Sequence, residues 1–104
     1  MQYSIVYTRL AKSDIGEIVT YISETLKAPK AALNLVSALE KSIKALEKFP
    51  YAHQVYITNK ILENEYRFIP AKNYLVFYRV EEDKKKVVIS RVFYGSMNYA
   101  SRLW

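Results

Sequence analysis

The chain has 104 residues, 51% of them hydrophobic and 25% charged, the size and make-up of one globular domain with a single modest core. Without cysteine it forms no disulfide, thiolate zinc site or cysteine nucleophile, and two glycines are too few for a phosphate-cradling loop. A net charge of +6 and a pI near 9.5 suit an anionic partner, either nucleic acid or an acidic protein.

Residues 3–7 (YSIVY) are aromatic and β-branched, which predicts a first strand. Thr8 is placed to cap a helix over residues 9–26, where Ala11, Ile15, Ile18, Val19, Ile22 and Leu26 follow helical spacing. Ala28-Pro29 interrupts that pattern, and proline is favoured at the first position of a helix, so a second helix is expected from Pro29. Its apolar stripe is Ala32, Leu35, Val36, Leu39, Ile43 and Leu46; Glu40 stands one turn before Lys44 for a surface pair, and Phe49-Pro50 ends the helix. So short a link predicts an antiparallel helical hairpin with one apolar face.

Residues 51–64 show no period and hold the only histidine, His53; a short strand around 54–57 is the one element expected there. Three strands follow, at 65–70 (EYRFIP), 74–80 (YLVFYRV) and 87–94 (VVISRVFY), separated by turns at 71–73 and 81–86. The middle one is apolar enough for burial on both faces. The predicted order is thus β-α-α-β-β-β, an α+β fold in which an antiparallel sheet carries the helices on one face and the first strand joins an edge of the meander. On strand parity, Arg79 lies with Leu75 and Phe77, and Arg91 with Ile89 and Phe93.

Familiar catalytic routes find little material here. One histidine with scattered carboxylates makes neither a serine triad nor a metal site, so no cofactor is expected. No apolar run reaches the length of a membrane span and no secretory signal is legible, so the expectation is a cytoplasmic protein without a membrane partner. What remains is a set of cations, Lys60, Arg67, Lys72, Arg79, Arg91 and Arg102, interleaved with Tyr66, Tyr74, Tyr78, Tyr94 and Tyr99. Arginine binds phosphate bidentately and tyrosine stacks on bases, so such a sheet can hold RNA; the same residue types also serve as strand formers and as covers for aromatic faces.

The order of elements, together with A-x-x-D-I-x-x-I-x-x-Y-I (11–22), P-x-x-A (29–32), L-x-x-F-P (46–50), YR (66–67), NYLVFYRV (73–80) and V-x-I-x-R-V-F-Y-G (87–95), resembles the RelE/ParE toxin superfamily of type II toxin–antitoxin systems over essentially the whole chain. The resemblance implies a small basic toxin that arrests growth unless a cognate antitoxin folds over it, as a homodimer or a toxin–antitoxin hetero-oligomer. It also implies one of two targets. RelE-like members cleave mRNA on the ribosome with arginine, lysine and a tyrosine or histidine about the scissile phosphate; ParE-like members poison DNA gyrase. Carried onto this chain, an RNase site would draw on Arg67, Arg91 and Tyr94, with Lys60, Lys72, Arg79, Tyr99 and Arg102 as target contacts. The nuclease arginine expected near the start of the third strand falls at or beside Leu75, and R-V-F-Y-G fits the ParE-like pattern, which is the preferred reading. A basic nucleic-acid-binding module without toxicity is the alternative of another class.

Overall fold

A computed structural model describes residues 2–57 and 64–95. Strand β1 (Ser4–Tyr7) leads into helix α1 (Arg9–Thr20), and the Thr8 hydroxyl oxygen accepts the Ala11 N–H at 3.0 Å as the expected cap. The stripe read through Leu26 continues past α1 as a π-helical turn, Tyr21–Thr25, closed by the Leu26 N–H on the Tyr21 carbonyl. Lys27 then turns left-handed at φ 53° and Ala28 donates back to the Ile22 carbonyl. Helix α2 (Pro29–Ala45) starts on its proline and buries Ala32, Leu35, Leu39 and Ile43 along one stripe. Lys12 and Ile15 of α1 face Leu39, Glu40 and Ile43 late in α2, while Ile22 and Leu26 face Ala31 and Leu35 near its start, so the hairpin is antiparallel. The surface pair expected between Glu40 and Lys44 does not form. Glu40 instead lines a cleft with Tyr7 and Lys12, where burial first and the Glu40 charge second push the Tyr7 hydroxyl up.

Strands β2 (Arg67–Ala71), β3 (Tyr74–Glu81) and β4 (Lys86–Tyr94) form the predicted meander, and the sheet order is β1-β4-β3-β2. The expectation of a wholly antiparallel sheet is corrected. β1 does join the edge of the meander, but it runs parallel to β4, from Ser4 beside Lys86 to Tyr7 beside Ile89. The reason lies in the hairpin: α2 carries the chain back to the end of the sheet where β1 began, and the Tyr3 N–H donates to the Glu47 carbonyl at 2.8 Å. β2 therefore starts from the same end as β1, and two reversals later β4 runs in that direction again. The short strand anticipated around residues 54–57 is one bridge, Val55 to Arg67, flanked by Tyr56 N–H to the Tyr66 carbonyl and Phe68 N–H to the Gln54 carbonyl.

A second correction concerns parity. Phe77 pairs with Arg91, but Tyr78 pairs with Ile89, so Ser90 is an extra residue in β4. The bulge shifts the alternation by one. Ile89 joins the helix-side core while Arg91 and Phe93 turn to the other face. On the helix side, Ala11, Leu35, Leu39, Ile43 and Leu46 pack on Ile69, Val76, Tyr78, Val87, Ile89 and Val92, each large aliphatic contributing about 2 kcal/mol through burial. Tyr78 is fully buried in that layer, and its hydroxyl donates to the Pro50 carbonyl at 2.6 Å; burial pushes its pKa up to about 12. The opposite face is covered by a smaller aromatic cluster in which Tyr56, Tyr66, Phe68 and Leu75 surround Phe77 and Phe93. β3 is thus buried on both sides, as its composition requires.

Candidate functional site

Where β1 ends at Tyr7, β4 continues to Tyr94 paired only with β3, and α1 with its π-helical turn stands off from the open edge. The gap is a groove of about 860 Å³ running from Asp14 and Glu17, past Tyr21 and Leu26 to the tip of the β3–β4 pair. Tyr74 and Tyr94 are register partners at that tip, their rings edge to face at 5.6 Å between centroids. Tyr21 is 52% exposed and Tyr94 51%, so the groove presents phenols to solvent rather than hiding them. Burial, then the neighbouring Tyr94 and Tyr21, raise the Tyr74 hydroxyl above its ordinary value. Lys72 overhangs the same groove from the two-residue turn between β2 and β3, at φ 55°. That conformation suits glycine, and a lysine held there costs about 1 kcal/mol. Gly95 closes the tip by donating to the Asn73 carbonyl at 3.0 Å.

Arg91 enters the groove already engaged. Its Nε and Nη2 donate to the two Asp14 oxygens at 2.8 and 2.9 Å, and the Val92 N–H donates to Asp14 Oδ2 at 3.0 Å. One carboxylate from α1 thus serves the open edge of β4 where β1 has stopped. Asp14 and Arg91 side chains are 12% and 18% exposed, and the guanidinium lies 4.6 Å from the Phe93 ring centroid. Hydrogen bonding to Asp14 raises the Arg91 pKa further. Arg91, singled out as a phosphate ligand, thus also fastens α1 to the sheet. Asp14 was legible only as an acid within an apolar helical stripe, between Ala11 and Ile18; that misplaced charge was the signal of a partner.

Arg67 and Arg79 lie at the other end, in a polar cavity of about 630 Å³ with Tyr51, Glu65, Glu81, Glu82 and Lys84. Arg67 pairs in register with Tyr78, four residues before the Tyr74–Tyr94 pair, or roughly 13 Å along the strand. Its Nη1 donates to the His53 carbonyl at 2.7 Å, and the guanidinium covers the Tyr51 ring. Arg79 holds Glu81, lowering that carboxyl. Beside them Glu82 pairs with Lys85 and accepts the Tyr3 and Tyr51 hydroxyls at 2.6 and 2.7 Å; Lys85 first, then the two phenols, hold its pKa down to about 2. Tyr51 is raised to about 12 chiefly by that bond to Glu82. This network ties the start of β1, the loop after α2 and the β3–β4 turn into one knot.

Of the residues singled out from sequence, Arg91, Tyr94 and Lys72 share one groove, Arg67 and Arg79 share the opposite cavity, and Lys60, Tyr99 and Arg102 lie outside the described residues. Leu75, at or beside the position expected for a nuclease arginine, packs against the aromatic cluster. Among the described residues, no three histidine, cysteine or acidic side chains gather to hold a metal, and no helix is long and apolar enough to cross a membrane.

The family model for the ParE toxin of type II toxin–antitoxin systems matches residues 5–99. Among solved structures, the chromosomal ParDE toxin–antitoxin system from P. aeruginosa has a similar chain, with a TM-score of 0.70 at 20% identity over 88% of this chain and 95% of that one. A chain of the RelBE2 toxin–antitoxin complex from Mycobacterium tuberculosis follows at a TM-score of 0.62 and 18% identity, covering 90% of this chain and 99% of that one. At these identities the two structures speak for the fold. No curated protein sequence matches the chain.

Proposed function

The chain belongs to the ParE toxin family of type II toxin–antitoxin systems, and on that premise we propose that it arrests growth by poisoning DNA gyrase, held inactive by a cognate antitoxin. The observation that carries the choice of target is how the arginines are used. Cleavage of RNA by its own 2′-hydroxyl needs cations turned toward a scissile phosphate beside a proton-transfer group. Arg91 is taken up by Asp14, Arg67 by the His53 carbonyl and Arg79 by Glu81, and Leu75 is apolar. That distribution favours a toxin acting as a binding surface over one acting as a nuclease. The antitoxin would lie in the groove lined by Tyr21, Leu26, Tyr74 and Tyr94, whose apolar walls suit a segment that orders on binding.

Lys72 and Tyr94, which both line that groove, keep ribosome-dependent mRNA cleavage as the second reading. A gyrase supercoiling assay run beside an in vitro translation reaction separates the two. The expected result is inhibited supercoiling with intact transcripts; transcripts cut only when ribosomes are present, and spared by Tyr94→Phe, would reverse the choice. Expression alone and with the neighbouring gene tests the toxin reading itself, which fails if the chain alone leaves growth unchanged.

A further inference from the structure

Helix α2 has a second face that the core does not use. Counting 100° per residue, Ala32, Leu35, Leu39, Ile43 and Leu46 centre on the buried direction. Lys30, Asn34, Ser37, Lys41 and Lys44 lie within about 40° of its opposite, and Lys48 continues the spacing into the following turn. All six are exposed, four are lysines and none is acidic. No ion pair with a described carboxylate neutralises these lysines, and Glu40, the acid placed to do so, sits instead in the cleft with Tyr7 and Lys12. The helix dipole does not account for the row. Lysines near the C-terminal end complement it, but Lys30 stands in the first turn, which holds no acidic residue, where a cation is unfavourable.

We infer that this outward face of α2 docks the phosphate backbone of double-stranded DNA. Within the helix the row runs straight for about 21 Å, from Lys30 to Lys44 at 1.5 Å per residue, so it lies along a duplex rather than around a point anion. Lys41 and Lys44 succeed one another at about 4.5 Å of rise and Lys48 follows in the turn after the helix, so adjacent phosphates are within reach of side chains of that length. No aromatic side chain stands between Lys30 and Lys48, and the exposed Phe49 lies just past the end of the row, so along the helix a single strand finds no series of stacking platforms. The face lies away from the Tyr74–Tyr94 groove, so it adds a contact beyond the proposed antitoxin seat and does not rest on the choice of target. A gyrase poison bearing it would touch the duplex that its target carries.

Fluorescence anisotropy on a labelled random-sequence duplex, with the whole chain titrated across a range of salt, tests the inference. Two variants are compared: Lys30, Lys41, Lys44 and Lys48 all to Gln, and as an equal loss of charge Lys12, Lys27, Lys84 and Lys86 all to Gln. Every position is exposed, and circular dichroism checks folding. The expected outcome is a slope of log affinity against log salt shallower by about 3.6 in the α2 variant, with at least about tenfold weaker binding at low salt, and a slope within about one of the parent in the other. No binding at low salt, equal weakening of both variants, tighter binding to a single strand, or a preference for anionic lipid vesicles over the duplex would each overturn it. Growth arrest and supercoiling are read separately, so failure here leaves the toxin reading standing.

Discussion

Replacing Asp14 with alanine removes one carboxylate and leaves two groups without it: a guanidinium 18% exposed and the Val92 N–H at the open edge of β4. Loss of one partner from a buried pair costs about 3–5 kcal/mol, and an orphaned buried N–H about 1–3 kcal/mol. Because the pair keeps some contact with water, the low end applies, and the expected loss is about 3 kcal/mol, a large share of the total stability of a domain this size. Thermal unfolding followed by circular dichroism should show a midpoint lowered by roughly 10–20 °C. In a double-mutant cycle, Arg91→Met should cost little once Asp14 is already alanine, giving a coupling of at least about 1 kcal/mol. A loss below about 1 kcal/mol for Asp14→Ala, or an additive cycle, would refute the account of this pair. The same variants separate scaffolding from chemistry. If Arg91→Met abolishes growth arrest while the comparably destabilised Asp14→Ala retains it, Arg91 meets the target directly.

Glu82, held near 2, stays charged in the folded chain where a carboxyl of ordinary value 4.5 takes up a proton, so its contribution is complete above about 4.5 and disappears as pH falls towards 2. Glu82→Gln should flatten the dependence of the unfolding midpoint on pH across that window, and an unchanged acid limb would remove Glu82 from the knot. Tyr78→Phe should cost about 1–2 kcal/mol by leaving the Pro50 carbonyl unpaired. It should also remove part of the stability lost on raising pH from about 10 to about 12, because the folded state keeps this phenol neutral; denaturant titrations at neutral and alkaline pH measure both. Lys72→Gly should stabilise the chain by roughly 0.5–1 kcal/mol through relief of its left-handed turn and weaken antitoxin binding measured by calorimetry. A destabilised Lys72→Gly protein would mean the turn is not strained.

Elements of this fold were legible where the determinant is local. Thr8 announces a helix start, Pro29 another, and the period of Leu35, Leu39 and Ile43 states which face of α2 is buried, because caps and helical spacing depend on residues a few positions apart. The two-sided apolarity of YLVFYRV likewise foretold a central strand, and the motifs from Ala11 to Gly95 sufficed for the family. Three things were decided only by the tertiary structure. The direction of β1 depends on where α2 returns the chain, and the face of Arg91 on one extra residue at Ser90 seen only against its partner strand. The pairing of Arg91 depends on a partner far off in sequence: Asp14 meets it across 77 positions, and one carboxylate brought that distance gives a candidate target contact a structural role. Composition states which charges a chain carries, but a charge becomes available or spent only when folding sets what stands within 3 Å of it.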